Sequence, residues 1–160
     1  MAINPNSTFT AGAVYTADQS NRFPRGIMAY ASSASNYTLT ATMTQATGMT
    51  VTFVPSANRN YKITYYEPAV ETASVTSAIT TLRIYVGTTA GTQLNQGILQ
   101  TSAAVKILGT VVPTAVTSAL GTSSVTIIGA ANTTSVTGTP VLQRLAVTPA
   151  FLLVEDIGPA

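Results

Sequence analysis

The stretch Met49-Thr50-Val51-Thr52-Phe53, followed after a turn by Tyr61-Lys62-Ile63-Thr64-Tyr65, decides the fold class. In both runs apolar residues take every second position and hydroxyls or a lysine fill the gaps, the period of a pleated strand with one buried face. Pro55-Ser56-Ala57-Asn58 between them is a turn signal. Leu82, Ile84 and Val86 repeat the pattern against Arg83 and Tyr85. Outward from these, strands are expected over 26–31, 37–43, 97–101, 111–116, 124–128, 141–148 and 151–155. Gly87 to Gly91, Gly109, Gly121 and Thr137-Gly138-Thr139-Pro140 supply the breaks. Residues 69–81 admit a helical reading, which their Ser, Thr and Val content weakens. Many short strands of this kind predict an all-β, antiparallel sandwich or jelly roll over residues 26–160, with strand order left open.

The first 25 residues read differently. They hold turn formers (Asn4-Pro5-Asn6, Gly12), isolated aromatics (Phe9, Tyr15, Phe23) and little alternation. Thr16 and Gln19 have capping-box spacing, while Pro24 and Gly26 would stop a helix within two turns. The expectation is an extended arm with one helical turn, docked either on its own β domain or on a neighbouring subunit.

Composition narrows the function classes. Of 160 residues only 8% are charged, against about 25% in ordinary soluble domains. The 46% hydrophobic content argues against disorder, which needs low hydrophobicity and high charge. A surface of hydroxyls and small apolar groups is cheap to desolvate, and exposed sheet edges with few charges need covering or pairing. Both point to extensive subunit contacts, the alternative being a protein that simply keeps a Thr-rich β surface. The basic residues Arg22, Arg25, Arg59, Lys62, Arg83, Lys106 and Arg144 form no run, so no nucleic-acid partner is expected. No stretch approaches the roughly 20 apolar residues of a membrane span. The opening residues lack a basic segment followed by an apolar one, so synthesis in a cytoplasm without a secretory signal is expected.

A search for catalytic chemistry returns little. There is no His and no Cys, which removes the commonest general base and the thiolate nucleophile. The acids are Asp18, Glu67, Glu71, Glu155 and Asp156. Glu155 and Asp156 are adjacent and would face opposite sides of a strand, while Glu67 and Glu71 flank an expected loop at Pro68. Neither pair supplies two carboxylates facing one cleft, as glycoside hydrolysis requires. Neither Lys62 nor Lys106 lies in a Ser-x-x-Lys spacing, and no Gly-x-Ser-x-Gly elbow occurs. Calcium would have Glu67, Glu71 and Asp156 as carboxylate ligands, without an Asp-rich loop to gather them. Tyr66 and Tyr85 are chemically suited to carbohydrate, though no Trp offers a broad platform. The expectation is a non-enzymatic protein with no cofactor and no metal.

Three segments carry a resemblance. Phe9-Thr10-Ala11-Gly12 followed by Tyr15-Thr16-Ala17 and Asn21 resembles the opening of small tailed-bacteriophage virion proteins. Ala57-Asn58-Arg59-Asn60-Tyr61-Lys62-Ile63 and the closing Phe151-Leu152-Leu153-Val154-Glu155-Asp156-Ile157-Gly158 are similar to the same proteins. The layout also resembles a tumour-necrosis-factor-like jelly roll, a fold that commonly forms trimers. The resemblance implies a virion location and a role as capsid decoration (cement) protein, head fibre or small tail appendage. It implies as partners a homotrimer of the chain itself and other virion proteins such as the major capsid protein. Phe9, Tyr15, Arg22, Phe23 and Arg25 are the expected partner-binding residues, because aromatic anchors and Arg dominate interface energetics. The alternative is a receptor- or glycan-binding adhesin using loops near Thr88-Thr89 or Asn132-Thr133. A polysaccharide-degrading tailspike is disfavoured by the short chain and poor acid supply.

Overall fold

The computed structural model describes residues 23–160. The expected helical turn of the arm lies outside these residues, as do Phe9, Tyr15 and Arg22. Eleven strands follow in order: β1 Gly26–Ser33, β2 Tyr37–Thr38, β3 Thr44–Phe53, β4 Arg59–Glu71, β5 Ile79–Val86 and β6 Gln93–Gln100; then β7 Leu108–Val111, β8 Thr114–Thr117, β9 Val125–Thr133, β10 Val141–Gln143 and β11 Ala150–Pro159. No helix occurs among the described residues.

Two antiparallel sheets face each other. In the larger, β1, β11 and β4 run side by side, β7 and β8 line the far side of β4, and β10 and β2 extend it. The smaller has the order β3-β9-β5-β6. The pairings β1 with β11, β3 with β9, β4 with β7 and β8, and β5 with β6 are those of one long hairpin rolled up on itself. That nesting defines an eight-stranded jelly roll, with β2 and β10 as additions and one strand of the roll split into β7 and β8. The order that sequence leaves open is thereby settled.

The alternation in the opening stretches does what its period predicts. Met49, Val51 and Phe53 are buried, as are Tyr61, Ile63 and Tyr65, and together with Leu82, Ile84, Ile127, Leu152 and Val154 they fill the space between the sheets. The sheets also close along two sides. At one, β1 crosses a bulge in β3, where Gly48 has φ +77° and an added Cβ would lie 2.8 Å from that of Ser33. At the other, Gly97 of β6 leaves room for Val111, whose Cγ1 would stand 2.7 Å from a Cβ, and Asn95 donates to the Thr114 carbonyl. Edges are therefore covered by the partner sheet rather than by charge.

Several expectations need correction. The strand over 37–43 is only Tyr37–Thr38. That over 111–116 is broken, because Pro113 has no N–H to give a ladder and β7 ends before it. Gly109 lies inside β7 rather than in a turn; its missing Cβ makes room for Leu99. Residues 69–81 are the end of β4, a turn and the start of β5. The segment 141–148 leaves the sheet after Gln143 and folds into a turn closed between Leu145 and Thr148. Glu67 and Glu71 stand in β4 itself, with Pro68 absorbed in an irregularity of its pairing with β7.

Candidate assembly surfaces

The charges are spent internally. Arg144 is fully buried and grips Glu67, donating from Nε to Oε2 at 3.0 Å and from Nη2 to Oε1. Its Nη1 donates to the carbonyls of Thr47 (2.8 Å) and Ser35 (3.3 Å), and its backbone N–H to Asn36 Oδ1. The Tyr65 hydroxyl donates to Glu67 Oε1 at 2.5 Å. Burial, reinforced by the neighbouring Glu67 carboxylate, pushes the Tyr65 phenol well above its usual range. Burial opposes the Arg144 charge, but bonding to Glu67 outweighs it and holds the guanidinium's pKa above its ordinary value. This pair links β4 to the bulge of β3 and to the β1–β2 connection.

The same economy recurs. Buried Arg59 and Asp156 join the start of β4 to β11, through Nε–Oδ2 at 2.8 Å and Nη2–Oδ1 at 2.5 Å. Lys106 bonds Glu71 at 2.8 Å. Glu71 also accepts from Gln143 Nε2 and the Val141 N–H. Partial burial would raise the Glu71 carboxyl, yet these donors and the Lys106 charge hold it below the usual range. Lys62 and Glu155 pair across the surface at 3.4 Å. Four of the five acids are thus ion-paired, and the fifth, Asp18, lies outside the described residues. The three carboxylates of the calcium option are held apart, each by its own cation. Glu155 and Asp156 do point to opposite faces, the second into the interior.

Two outward faces remain, and they differ. On the larger sheet the register builds three cross-strand rows: Val116-Lys62-Glu155-Ile27, Thr114-Thr64-Leu153-Tyr30, and Tyr66-Phe151-Ser32. Tyr66 stacks on Phe151 with centroids 4.9 Å apart, and Tyr30 approaches Phe151 at 6.1 Å. Ile27, Tyr30 and Val116 are 68%, 55% and 61% exposed. Exposed apolar and aromatic side chains gathered on one face make it a candidate interaction surface.

The smaller sheet's face is mostly polar, apart from the exposed Ile98 beside Thr81. Thr50, Thr52, Thr126, Thr81, Gln93, Gln96 and Asn132 surround a small second cluster of Tyr85, Ile128 and Ala130. Arg83 is its only charge, donating to Gln96 Oε1 and to the Tyr85 hydroxyl, each at 3.1 Å. Tyr85 is buried here, packed against Ile128, rather than exposed as a carbohydrate platform. Thr88-Thr89 sit in the β5–β6 turn. Asn132-Thr133 instead end β9, with Thr133 buried, because β9 continues beyond its apolar core to pair with β5.

Of the expected anchoring residues, Phe23 and Arg25 are described. The Phe23 carbonyl accepts from Arg59 Nη2 at 2.6 Å, and the exposed Arg25 donates from Nη1 to Ser56 Oγ at 2.7 Å. Both fasten the base of the 1–25 segment to the end of the sandwich where β4 begins and β11 closes. The aromatic rows went unrecognised in the sequence. Their signal is the residue alternating with each core position, Tyr66 beside Tyr65 and Phe151 beside Leu152.

No family model and no curated relative matches the chain. Solved structures from infectious bursal disease virus are similar to it. The Gx strain matches at 18% identity and TM-score 0.25, over 98% of this chain and 46% of that one. The Gt strain matches at 16% and 0.24, over 98% and 47%. The VP2 subviral particle matches at 14% and 0.24, over 98% and 43%. The chain thus spans less than half the length of the chains it resembles.

Proposed function

We propose that the chain is a non-enzymatic structural subunit of a virus particle, made for repeated contact with copies of itself and with other particle proteins. The observation that carries this is the placement of charge. In a chain with 8% charged residues, three of the four ion pairs among the described residues are turned inward or half-covered, and what faces outward is mostly hydroxyl, amide, aliphatic and aromatic. Such a surface is cheap to desolvate against a neighbour and poorly suited to a solitary soluble life. The jelly-roll connectivity is in keeping with it, since capsid domains use this architecture, although lectin domains do too.

In the specific form of the proposal the particle is a bacteriophage, the subunit is a capsid decoration or head-fibre protein, and the oligomer is a trimer. Residues 1–25 then form the anchor to the major capsid protein, with Phe9, Tyr15, Arg22, Phe23 and Arg25 as its contacts. Many weak contacts repeated over a lattice sum to a stable attachment. The test is incorporation: chain lacking residues 1–25 should fold yet fail to load onto particles, and immuno-electron microscopy should find the full chain spread over the head. Loading of the truncated chain refutes the anchor, and label on no particle refutes the particle role.

A glycan-binding tail appendage is the second reading, favoured by the polar face around Arg83 and Gln96. Reproducible binding on a glycan array, abolished by Arg83→Ala, would establish it.

A further inference from the structure

We infer that the outward face of the larger sheet is a self-complementary contact, through which two copies of this chain pack about a two-fold axis running between β4 and β11 parallel to both. The argument is geometric. A two-fold rotation about an axis lying in the contact plane along the strands reverses the order of strands and keeps each row at its height. The row Val116-Lys62-Glu155-Ile27 therefore meets its own reverse. Lys62 of one copy faces Glu155 of the other, and Glu155 faces Lys62; Val116 and Ile27 meet at both flanks. In the third row Tyr66 of one copy meets Phe151 of the other, and in the middle row Tyr30 meets Thr114.

The central and flanking pairs are opposite-charge, aromatic on aromatic or apolar on apolar; Leu153 and Tyr30 meet the neutral Thr64 and Thr114, and Ser32 has no counterpart in its row. A closed two-fold contact demands this self-complementarity, because each patch must suit itself. The charges of the face sum to zero and sit symmetrically about the axis, which a partner of strong net charge would not require. Sheets packed face to face stay within about 30° of alignment, so the central rows keep their match despite twist.

The patch is modest. Four strands about 4.8 Å apart and three rows about 7 Å apart give roughly 400 Å² on each copy, about half of a standard interface side. The isolated pair is accordingly weak and gains strength from repetition in a particle. This contact rests on the proposed assembly role and deepens it by joining copies in twos.

The test is sedimentation of the full chain from about 10 µM to about 1 mM, a span suited to weak association. The wild type should associate reversibly in twos, monomer to dimer, or trimer to hexamer where the proposed trimer is already formed. Lys62→Glu and Glu155→Lys should each weaken it at least about a hundredfold, because each places like charges twice across the axis. Mixing the two variants one to one should restore association, since in the mixed pair every charge meets its opposite. If either single variant fails to fold, the swap Lys62→Glu/Glu155→Lys keeps the pair within each chain and should dimerise like the wild type. A wild type that stays monomeric, association indifferent to either variant, or no recovery on mixing overturns the inference. Particle loading is read separately by deletion of residues 1–25, so failure of one result does not mimic failure of the other.

Discussion

Replacing Arg144 by Met tests whether the interior charge network holds the roll together. The guanidinium is fully buried and supplies two bonds to Glu67 and two to the carbonyls of Thr47 and Ser35. Arg144→Met leaves a carboxylate with no exposed side-chain surface and only the Tyr65 hydroxyl as side-chain donor. Breaking one partner of a buried pair costs about 3–5 kcal/mol, mostly the penalty of the stranded charge. Against a typical domain stability of about 5–15 kcal/mol this is a large fraction. At about 2–4 °C per kcal/mol for a chain of this size, the melting point should fall by roughly 12 °C. Urea denaturation followed by circular dichroism gives the free energy directly. The companion variant Arg144→Met/Glu67→Leu/Tyr65→Phe removes charge, acceptor and donor together, and should recover about 2 kcal/mol of the loss. The carbonyls of Thr47 and Ser35 stay unpaired and limit the recovery. A cost below about 1 kcal/mol for Arg144→Met, or a triple variant less stable than the single one, refutes the reasoning.

Other outcomes follow from the same contacts. Gly129→Ala places a Cβ 3.0 Å from the Tyr65 ring and 3.1 Å from Met49 Cβ, so overpacking should cost about 1–3 kcal/mol in the same denaturation assay. The Glu71 carboxyl is held below its unfolded value by Lys106, Gln143 and Val141. Its contribution is therefore present above about pH 4.3, the unfolded value, and is lost as pH falls through the lower folded value; Glu71→Gln should flatten that part of the stability–pH curve. Asp156→Asn weakens the grip of the Arg59 guanidinium, which also holds the Phe23 carbonyl, so tryptic cleavage at Arg25 should accelerate relative to wild type, read by mass spectrometry.

The sequence made the pleat legible, and with it most of the core, because alternation at Met49-Val51-Phe53 and Tyr61-Ile63-Tyr65 is a local signal that tertiary structure only confirms. Strand ends were less legible where a local rule met a tertiary one. Pro68 looked like a loop, yet β4 carries it through an irregular pairing, and Gly109 looked like a turn although it makes room for Leu99. The charge network could not be read at all. Arg144 and Glu67 are 77 residues apart and Arg59 and Asp156 are 97 apart, so only the rolled topology brings them together. Scattered along the chain they look like a thin surface coat; folded, Arg59, Asp156, Glu67 and Arg144 lie in the interior.

That inversion links the fold to the proposed role. A jelly roll has several strands whose sliding by one residue would swap its two faces, and a Thr- and Val-rich chain offers many similar strand partners. An ion pair between β4 and β11, and an Arg144 that bonds β4, the β3 bulge and the β1–β2 connection at once, penalise every slipped register by stranding a buried charge. Charge used in this way fixes the interior and leaves the exterior nearly neutral. A neutral exterior loses little solvation when covered, so contacts of a few hundred Å² per copy suffice once they repeat. The same few residues therefore set a single register within the subunit, and of the ion pairs among the described residues only Lys62–Glu155 stands on an outward sheet face, among the aromatic rows, where the proposed two-fold contact would use it.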